Sequence, residues 1–144
     1  MIAVDSSLLI YAHRRDNEAY PVARARLEVL ATGPAQWAIP YPCVHEFIRN
    51  VTDHRIYADP TPLDRAFDQV NAWVKSPTVR LLGEGTAHLD LLGRVAHEGR
   101  ARGAAIHDAR IAAICLEHGV RELWTADRDF GRFASLKTRN PLVG

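Results

Sequence analysis

The chain has 144 residues, of which 47% are hydrophobic and 24% are charged, and its formal net charge is +1. This length suits one domain with its own core. The near-neutral charge argues against a broad basic surface that coats nucleic acid, although it allows a local basic rim. No apolar run approaches the roughly 20 residues that span a bilayer, and the N-terminus lacks the pattern of a signal peptide. We therefore expect one domain over residues 1–144 that does not cross a membrane.

The two cysteines, Cys43 and Cys115, are far apart, and each lies within an apolar helical pattern. Neither belongs to the closely spaced Cys or Cys/His groups that are typical of metal sites and redox motifs. We expect both to be buried thiols rather than a disulfide. The expected compartment is a reducing cytoplasm.

Short apolar segments alternate with amphipathic ones along the whole chain. The first, residues 2–4, is apolar without alternation, as in a strand buried on both faces of a sheet, and Ser6 or Ser7 can cap the helix that follows. Further strands are predicted at 36–39, 78–82 and 120–124, with an edge strand at 136–138. Helices are predicted at about 21–32, 43–53, 62–75, 86–99 and 106–118, the fourth of these capped by Thr86. This alternation predicts an α/β domain with a mostly parallel sheet.

Carboxylates follow predicted strands or occupy the first turn of the next helix at four places: Asp5, Glu46, Asp108, and the pair Asp127 and Asp129. Strand ends in open α/β sheets face one crevice, so four or five acidic side chains are expected to converge. Like charges this close cannot all stay ionised without a cation. Hard oxygen ligands without Cys or paired His favour Mg²⁺ or Mn²⁺, and water bound to such an ion can attack phosphorus.

Each of these carboxylates taken alone also has a structural explanation. Acidic residues in a first helical turn, such as Glu46 and Asp108, suit the helix dipole. Asp127 and Asp129 can be turn or cap residues. Asp5 is harder to explain, because the end of a buried strand is a poor place for an unpaired charge. The metal-site prediction therefore depends on the set.

Four segments stand in a specific order along the chain: IAVDSS at 2–7, PCVHEF at 42–47, HDARIAA at 107–113 and LWTADRDF at 123–130. Together they resemble the PIN-domain ribonucleases, specifically the VapC type of toxin from bacterial toxin–antitoxin systems. The resemblance runs nearly from end to end. It implies a three-layer α/β/α domain with a mostly parallel central sheet of four to five strands.

The resemblance also implies roles for individual residues. Asp129 would be an auxiliary acid, the Thr125 hydroxyl would lie beside the site, and Ser6 and Ser7 would border it. Four acids would hold Mg²⁺ or Mn²⁺: Asp5, Glu46, Asp108 and Asp127. The implied activity is endoribonucleolytic cleavage of RNA, inhibited by a cognate antitoxin. Toxins of this type usually form homodimers, so a homodimer is expected.

Substrate contacts are predicted among basic side chains in loops and near the rim, although scattered arginines are also common on ordinary surfaces. The candidates are Arg14, Arg15, Arg49, His54, Arg55, Arg128 and Arg132. His107 stands beside Asp108, a position that suits a general base. We favour a surface histidine, or one that supports a metal ligand, because a metal-activated water does not require a separate base.

Two other functional classes compete with the nuclease hypothesis. A haloacid-dehalogenase-like phosphatase requires Asp-x-Asp, whereas position 7 is serine, and a response-regulator receiver requires a late lysine that Trp124-Thr125 does not supply. A non-catalytic module with the same fold is the second alternative. It is disfavoured because a pure scaffold has no physical need to hold so many negative charges together.

Overall fold

The computed structural model describes residues 1–143. Within this range, strands and helices alternate along the chain, and one 3₁₀ helix (Arg128–Arg132) lies near the C-terminus. The strands are β1 (Ile2–Val4), β2 (Trp37–Pro40), β3 (Val79–Leu82), β4 (Glu122–Trp124) and β5 (Thr138–Arg139). The helices are α1 (Ser6–His13), α2 (Tyr20–Thr32), α3 (Tyr41–Val51), α4 (Leu63–Val74), α5 (His88–Glu98) and α6 (Ala105–Glu117).

The sheet has the strand order β3-β2-β1-β4-β5, and every neighbouring pair is parallel. β1 is central, with Ile2 opposite Trp37 on one side and Glu122 on the other. Its residues Ala3 and Val4 are fully buried. The apolar pattern at the N-terminus therefore reflects a strand covered on both faces, and the predicted α/β fold with a mostly parallel sheet is confirmed.

The strand order accounts for the three layers. The chain moves outward from β1 through β2 to β3, and α1 to α4 lie along these two crossovers and pack against one another. It then returns past β1 to β4 through α5 and α6, which pack on each other. Right-handed crossovers in opposite directions place their helices on opposite faces of the sheet. The carboxyl ends of the strands on either side of β1 consequently border one crevice.

The predicted elements are all present, and their ends differ by a few residues. The helix predicted at 43–53 covers Tyr41–Val51, and the last strand covers Thr138–Arg139 instead of 136–138. Gly119 follows α6 with φ +69°, as expected for a glycine that ends a helix in the left-handed conformation. The predicted helix and strand order is therefore correct, and only the boundaries needed the structure.

The predicted serine caps are wrong. Ser6 and Ser7 both lie inside α1, and the N-cap position belongs to Asp5, whose side chain makes no capping hydrogen bond. The reason is that both hydroxyl groups are directed to the Asp5 carboxylate, with Ser6 Oγ at 3.5 Å and Ser7 Oγ at 3.2 Å.

The Thr86 cap is also wrong, since Ala87 is the N-cap of α5. The Glu117 carboxylate holds the turn in front of α5 from a distant part of the chain. It accepts hydrogen bonds from the backbone N–H groups of Gly85 (2.9 Å) and Ala87 (3.0 Å). These bonds hold the pKa of Glu117 below its usual value.

Both cysteines are buried free thiols, as predicted. Burial raises the pKa of Cys115 to about 12 and places that of Cys43 well above its usual value. Neither thiol is therefore a nucleophile at neutral pH. Among residues 1–143, no helix has the length and apolar character needed to cross a membrane.

Candidate metal centre

Asp5 lies at the carboxyl end of the central strand. Its backbone N–H donates to the Trp124 carbonyl at 2.9 Å, which extends the pairing of β1 with β4 by one residue. The residue is 4% exposed. A carboxylate is therefore held at the rim of the sheet almost out of contact with water.

Four side chains donate hydrogen bonds to the two oxygens of Asp5. Oδ2 accepts from Thr125 Oγ1 at 2.7 Å and from Ser7 Oγ at 3.2 Å. Oδ1 accepts from Ser6 Oγ at 3.5 Å and from the Cys43 thiol at 3.6 Å. The carboxylate is thereby fixed in orientation by residues of α1, α3 and the segment after β4.

The pKa of Asp5 is raised, and burial is the main cause. The hydrogen bonds from Thr125, from the Ser6 backbone and from Ser7 act in the opposite direction, while the negative charge of Glu46 raises the pKa further. Burial disfavours the charged form of a carboxyl group, and donors that bind the charged form restore part of the loss. A cation beside Asp5 would compensate the remainder.

The segment after β4 is folded back onto β1 by the same hydroxyl groups. Thr125 Oγ1 also accepts the N–H of Asp127 at 3.0 Å, and Ser7 Oγ accepts the N–H of Ala126 at 3.1 Å. The Asp127 side chain then caps the 3₁₀ helix by accepting the N–H of Asp129 at 2.9 Å. Two aspartates are thus directed towards the crevice next to the end of β1.

Three carboxylates come together at this point. Asp108, in the first turn of α6, contributes one oxygen, and Asp127 and Asp129 each contribute another, all within 4.8 Å of one another. The pKa of Asp108 is raised to about 6 by burial, then by the negative charges of Asp127, Asp5 and Glu46, and it is lowered by His107. Buried carboxylates that also repel one another favour a cation between them.

The donor chemistry fits a hard divalent ion. In octahedral coordination with oxygens at about 2.1 Å, neighbouring ligands lie about 3 Å apart and opposite ligands about 4.2 Å apart, so three oxygens within 4.8 Å of one another would have to close up around a shared ion. All three are carboxylate oxygens, and no histidine or cysteine belongs to the group that the described residues form. This composition favours Mg²⁺ or Mn²⁺ over Zn²⁺.

Sequence comparison places the chain in a family. The sequence model of the PIN domain family matches residues 2–136. The chain belongs to the PIN-domain family. Ribonuclease VapC43 of Mycobacterium tuberculosis is 36% identical over 144 residues, which is all of this chain and 97% of that relative. Ribonuclease VapC33 of the same species is 34% identical over 143 residues, with 99% of each chain covered. The predicted resemblance to VapC-type PIN domains is therefore confirmed.

Solved structures agree with this PIN fold. VapBC2 from Rickettsia felis, bound to a DNA fragment from its promoter, has a TM-score of 0.70 at 17% identity, with 97% of this chain and 98% of that chain covered. VapC20 of Mycobacterium tuberculosis, described as a toxin that cleaves the sarcin-ricin loop, has a TM-score of 0.66 at 16% identity, with 91% and 93% covered. At these identities the likeness concerns the fold.

The structure arranges the predicted acids of this PIN domain in two groups. Asp108 and Asp127 come within ligand distance of one another together with Asp129, which the sequence treats as auxiliary. Asp5 and Glu46 are outside that three-carboxylate set among the described residues, yet both raise the pKa of Asp108. Asp129 enters the set because the cap made by Asp127 places it at the start of the 3₁₀ helix.

Glu46, on α3, is engaged by a histidine of α6. Its Oε2 lies 2.7 Å from His107 Nε2, and both side chains are partly exposed. His107 therefore contacts a predicted metal ligand directly. This geometry favours a supporting role over that of a general base, in agreement with the preference stated from the sequence.

The predicted phosphate contacts differ in what they touch. The Arg14 guanidinium lies 3.9 Å above the Tyr57 ring and binds Asp16 and the backbone of Asp59, so it fixes the loop after α3. Arg55 also forms a local ion pair, with Asp53 at 3.1 Å. These two predictions are not favoured by the structure, because the guanidinium groups already have partners.

Arg49, by contrast, lines a cleft beside Glu46 and His107. Arg110 lines the same cleft, although the sequence did not single it out. The available signal was its spacing, since Arg110 stands three residues after His107 and shares its helix face.

Proposed function

We propose that this PIN domain is a metal-dependent endoribonuclease toxin that a cognate antitoxin neutralises. The observation that carries the proposal is the convergence of Asp108, Asp127 and Asp129 beside the buried Asp5. Full-length similarity to ribonucleases VapC43 and VapC33 supports RNA as the substrate. We also propose that residues 1–144 form one domain, in line with a family match over residues 2–136.

Mg²⁺ or Mn²⁺ is the proposed cofactor. Thr125 is proposed as part of the site, holding Asp5, and Asp129 as an additional acid that faces Asp108 and Asp127. The proposed metal ligands are Asp5, Glu46, Asp108 and Asp127. The raised pKa values of Asp5 and Asp108 support this set, because a cation offsets both the burial that mainly raises them and the repulsion from neighbouring acids.

The chemistry follows from the positions of the side chains. A bound divalent ion would supply Lewis acidity at phosphorus and an acidic water molecule. Asp5 would hold a fixed geometry throughout, because Thr125, Ser7, Ser6 and the Cys43 thiol restrain both of its oxygens. A preorganised carboxylate does not have to reorient during the reaction, and this lowers the barrier.

The proposed partners are RNA, an antitoxin protein and a second copy of the chain. Support for the antitoxin comes from structural neighbours that were solved as toxin–antitoxin assemblies, such as the toxin–antitoxin complex from Klebsiella pneumoniae, with a TM-score of 0.62 at 18% identity. The homodimer follows from the VapC resemblance.

RNA cleavage by the purified protein tests this function. We expect cleavage with Mg²⁺ or Mn²⁺, none with EDTA, and none for Asp5→Asn in either condition. Circular dichroism and thermal melting verify that Asp5→Asn is folded. Mapping of RNA ends in cells after induction, with Asp5→Asn as the control, identifies the substrate.

If Asp5→Asn remains active, the proposed assignment of the metal site is refuted. A non-catalytic module would give neither cleavage nor binding of Mn²⁺ that depends on the acids, so titration calorimetry separates it from the enzyme. Cleavage products shared by the wild type and Asp5→Asn would count against the enzyme.

A further inference from the structure

A cleft of about 410 Å³ opens between α3 and α6, next to the carboxylate cluster. Glu46 and Arg49 line it from α3, and His107 and Arg110 line it from α6. Asp108 directly follows His107 and belongs to the cluster. The cleft and the cluster are therefore neighbouring parts of one surface.

The charged groups of this cleft are two arginines and one glutamate. The Arg49 side chain is exposed, and within residues 1–143 it has no carboxylate in ion-pair contact. Arg110 is held in place by Glu84 at 3.0 Å while 40% of its side chain stays exposed. The one acid of the lining, Glu46, is already engaged by His107 at 2.7 Å. Arg49 is thus a cation without an ion-pair partner among the described residues, and the guanidinium of Arg110, paired with Glu84, stands on the facing helix.

We infer that this cleft binds a phosphate of the RNA backbone that flanks the phosphate to be cleaved, an inference that rests on the proposed function. A phosphodiester that approaches the cluster meets the negative charge of Asp108 and its neighbours, and cations alongside offset this repulsion. Arginine suits the role because its planar fork binds phosphate oxygens in pairs. Continuity with the acidic cluster favours RNA over an acidic protein segment, which would gain nothing from a metal-binding site next to it.

The test compares Arg49→Gln with Arg121→Gln. Arg121 is also exposed, but it stands before β4, with its backbone N–H bonded to Met1, and therefore lies at the opposite edge of the sheet from the cluster. A short fluorescein-labelled single-stranded RNA is titrated in EDTA, where the proposed hydrolysis does not proceed, at several salt concentrations. KM and kcat are then measured with Mg²⁺ or Mn²⁺.

We expect Arg49→Gln to raise Kd about three- to ten-fold and to reduce the slope of log K against log salt by about 0.7, the value for one phosphate contact in a single strand. KM should rise with kcat retained, because a contact to a flanking phosphate is made equally in the ground state and the transition state. Arg49→Lys should recover part of the affinity, and Arg121→Gln should match the wild type.

The cleft inference would be overturned if the wild type binds and cleaves RNA and Arg49→Gln leaves Kd, salt slope and KM unchanged. The proposed function would then stay intact. The same holds if Arg49→Gln weakens only the complex with a co-expressed antitoxin, since the cleft would then serve a protein partner. A wild type that neither binds nor cleaves RNA in either condition would reject the proposed function itself, and the inference with it.

Discussion

Replacement of Thr125 by valine tests whether a hydroxyl group keeps the Asp5 carboxylate charged. Thr125 is 4% exposed, and its Oγ1 donates to Asp5 at 2.7 Å while accepting the N–H of Asp127 at 3.0 Å. Valine has nearly the same shape, so the packing is retained and only the polar contacts are lost. A hydrogen bond to a charged group contributes about 1.5–3 kcal/mol, and a buried acceptor left without its donor loses a similar amount.

We therefore expect Thr125→Val to lower the free energy of unfolding by about 2–3 kcal/mol, which corresponds to a fall in Tm of about 4–12 °C for a domain of this size. Thr125→Ser is the matched control, because it keeps the hydroxyl group and loses one methyl group, at a cost of about 1 kcal/mol. Both variants are unfolded in urea with EDTA present, and circular dichroism follows the transition.

The stability difference between the two Thr125 variants should depend on pH. Burial raises the pKa of Asp5, so its contribution to stability is fully present below the unfolded-state pKa and is lost as the pH rises through the folded-state pKa. Removal of the Thr125 donor raises that pKa further. The gap between the valine and serine variants should consequently widen from about pH 5 to about pH 8. Equal stability of the two variants at the higher pH would refute the claim that Thr125 holds the charged carboxylate.

Three further predictions concern the cluster, the core and a helix end. Asp108→Asn should stabilise the metal-free protein by about 1 kcal/mol at pH 7.5. This is less than the pKa of about 6 alone implies, because solvent screens a half-buried group. The gain should vanish at about pH 4, where the carboxyl is protonated, and thermal melts in EDTA at both pH values measure it. Phe47→Ala should cost about 3–5 kcal/mol in urea unfolding, because the ring is fully buried and lies edge-on to Trp73 at 5.0 Å, whereas Phe47→Leu should cost much less. Gly119→Ala should cost about 1 kcal/mol in the same assay, since φ is +69°, and an equal stability would show that the helix end relaxes.

Much of the fold was predictable because its signals are local. Residues 2–4 are uninterrupted and apolar, and a strand at the centre of a parallel sheet needs that pattern on both faces. The glycine after α6 has the left-handed φ that its position predicts. Two helix starts were predicted wrongly. At the first, the neighbouring Asp5 carboxylate attracts the hydroxyl groups of Ser6 and Ser7. At the second, the distant Glu117 carboxylate accepts the N–H of Ala87 from 30 residues away, which no local pattern around Thr86 indicates.

The sequence alone was enough to predict the family, the alternation of strands and helices, and the acids that stand at strand ends. Each of these features is read from short segments of the chain. Only the tertiary structure decided which carboxylates share a site. Asp129 joins Asp108 and Asp127 through the turn after β4, and Glu46 is engaged by His107 across two helices. These contacts join residues that are 19 to 61 positions apart in the chain. Their geometry depends on how α3, α6 and the 3₁₀ helix pack against the sheet, which no local pattern specifies.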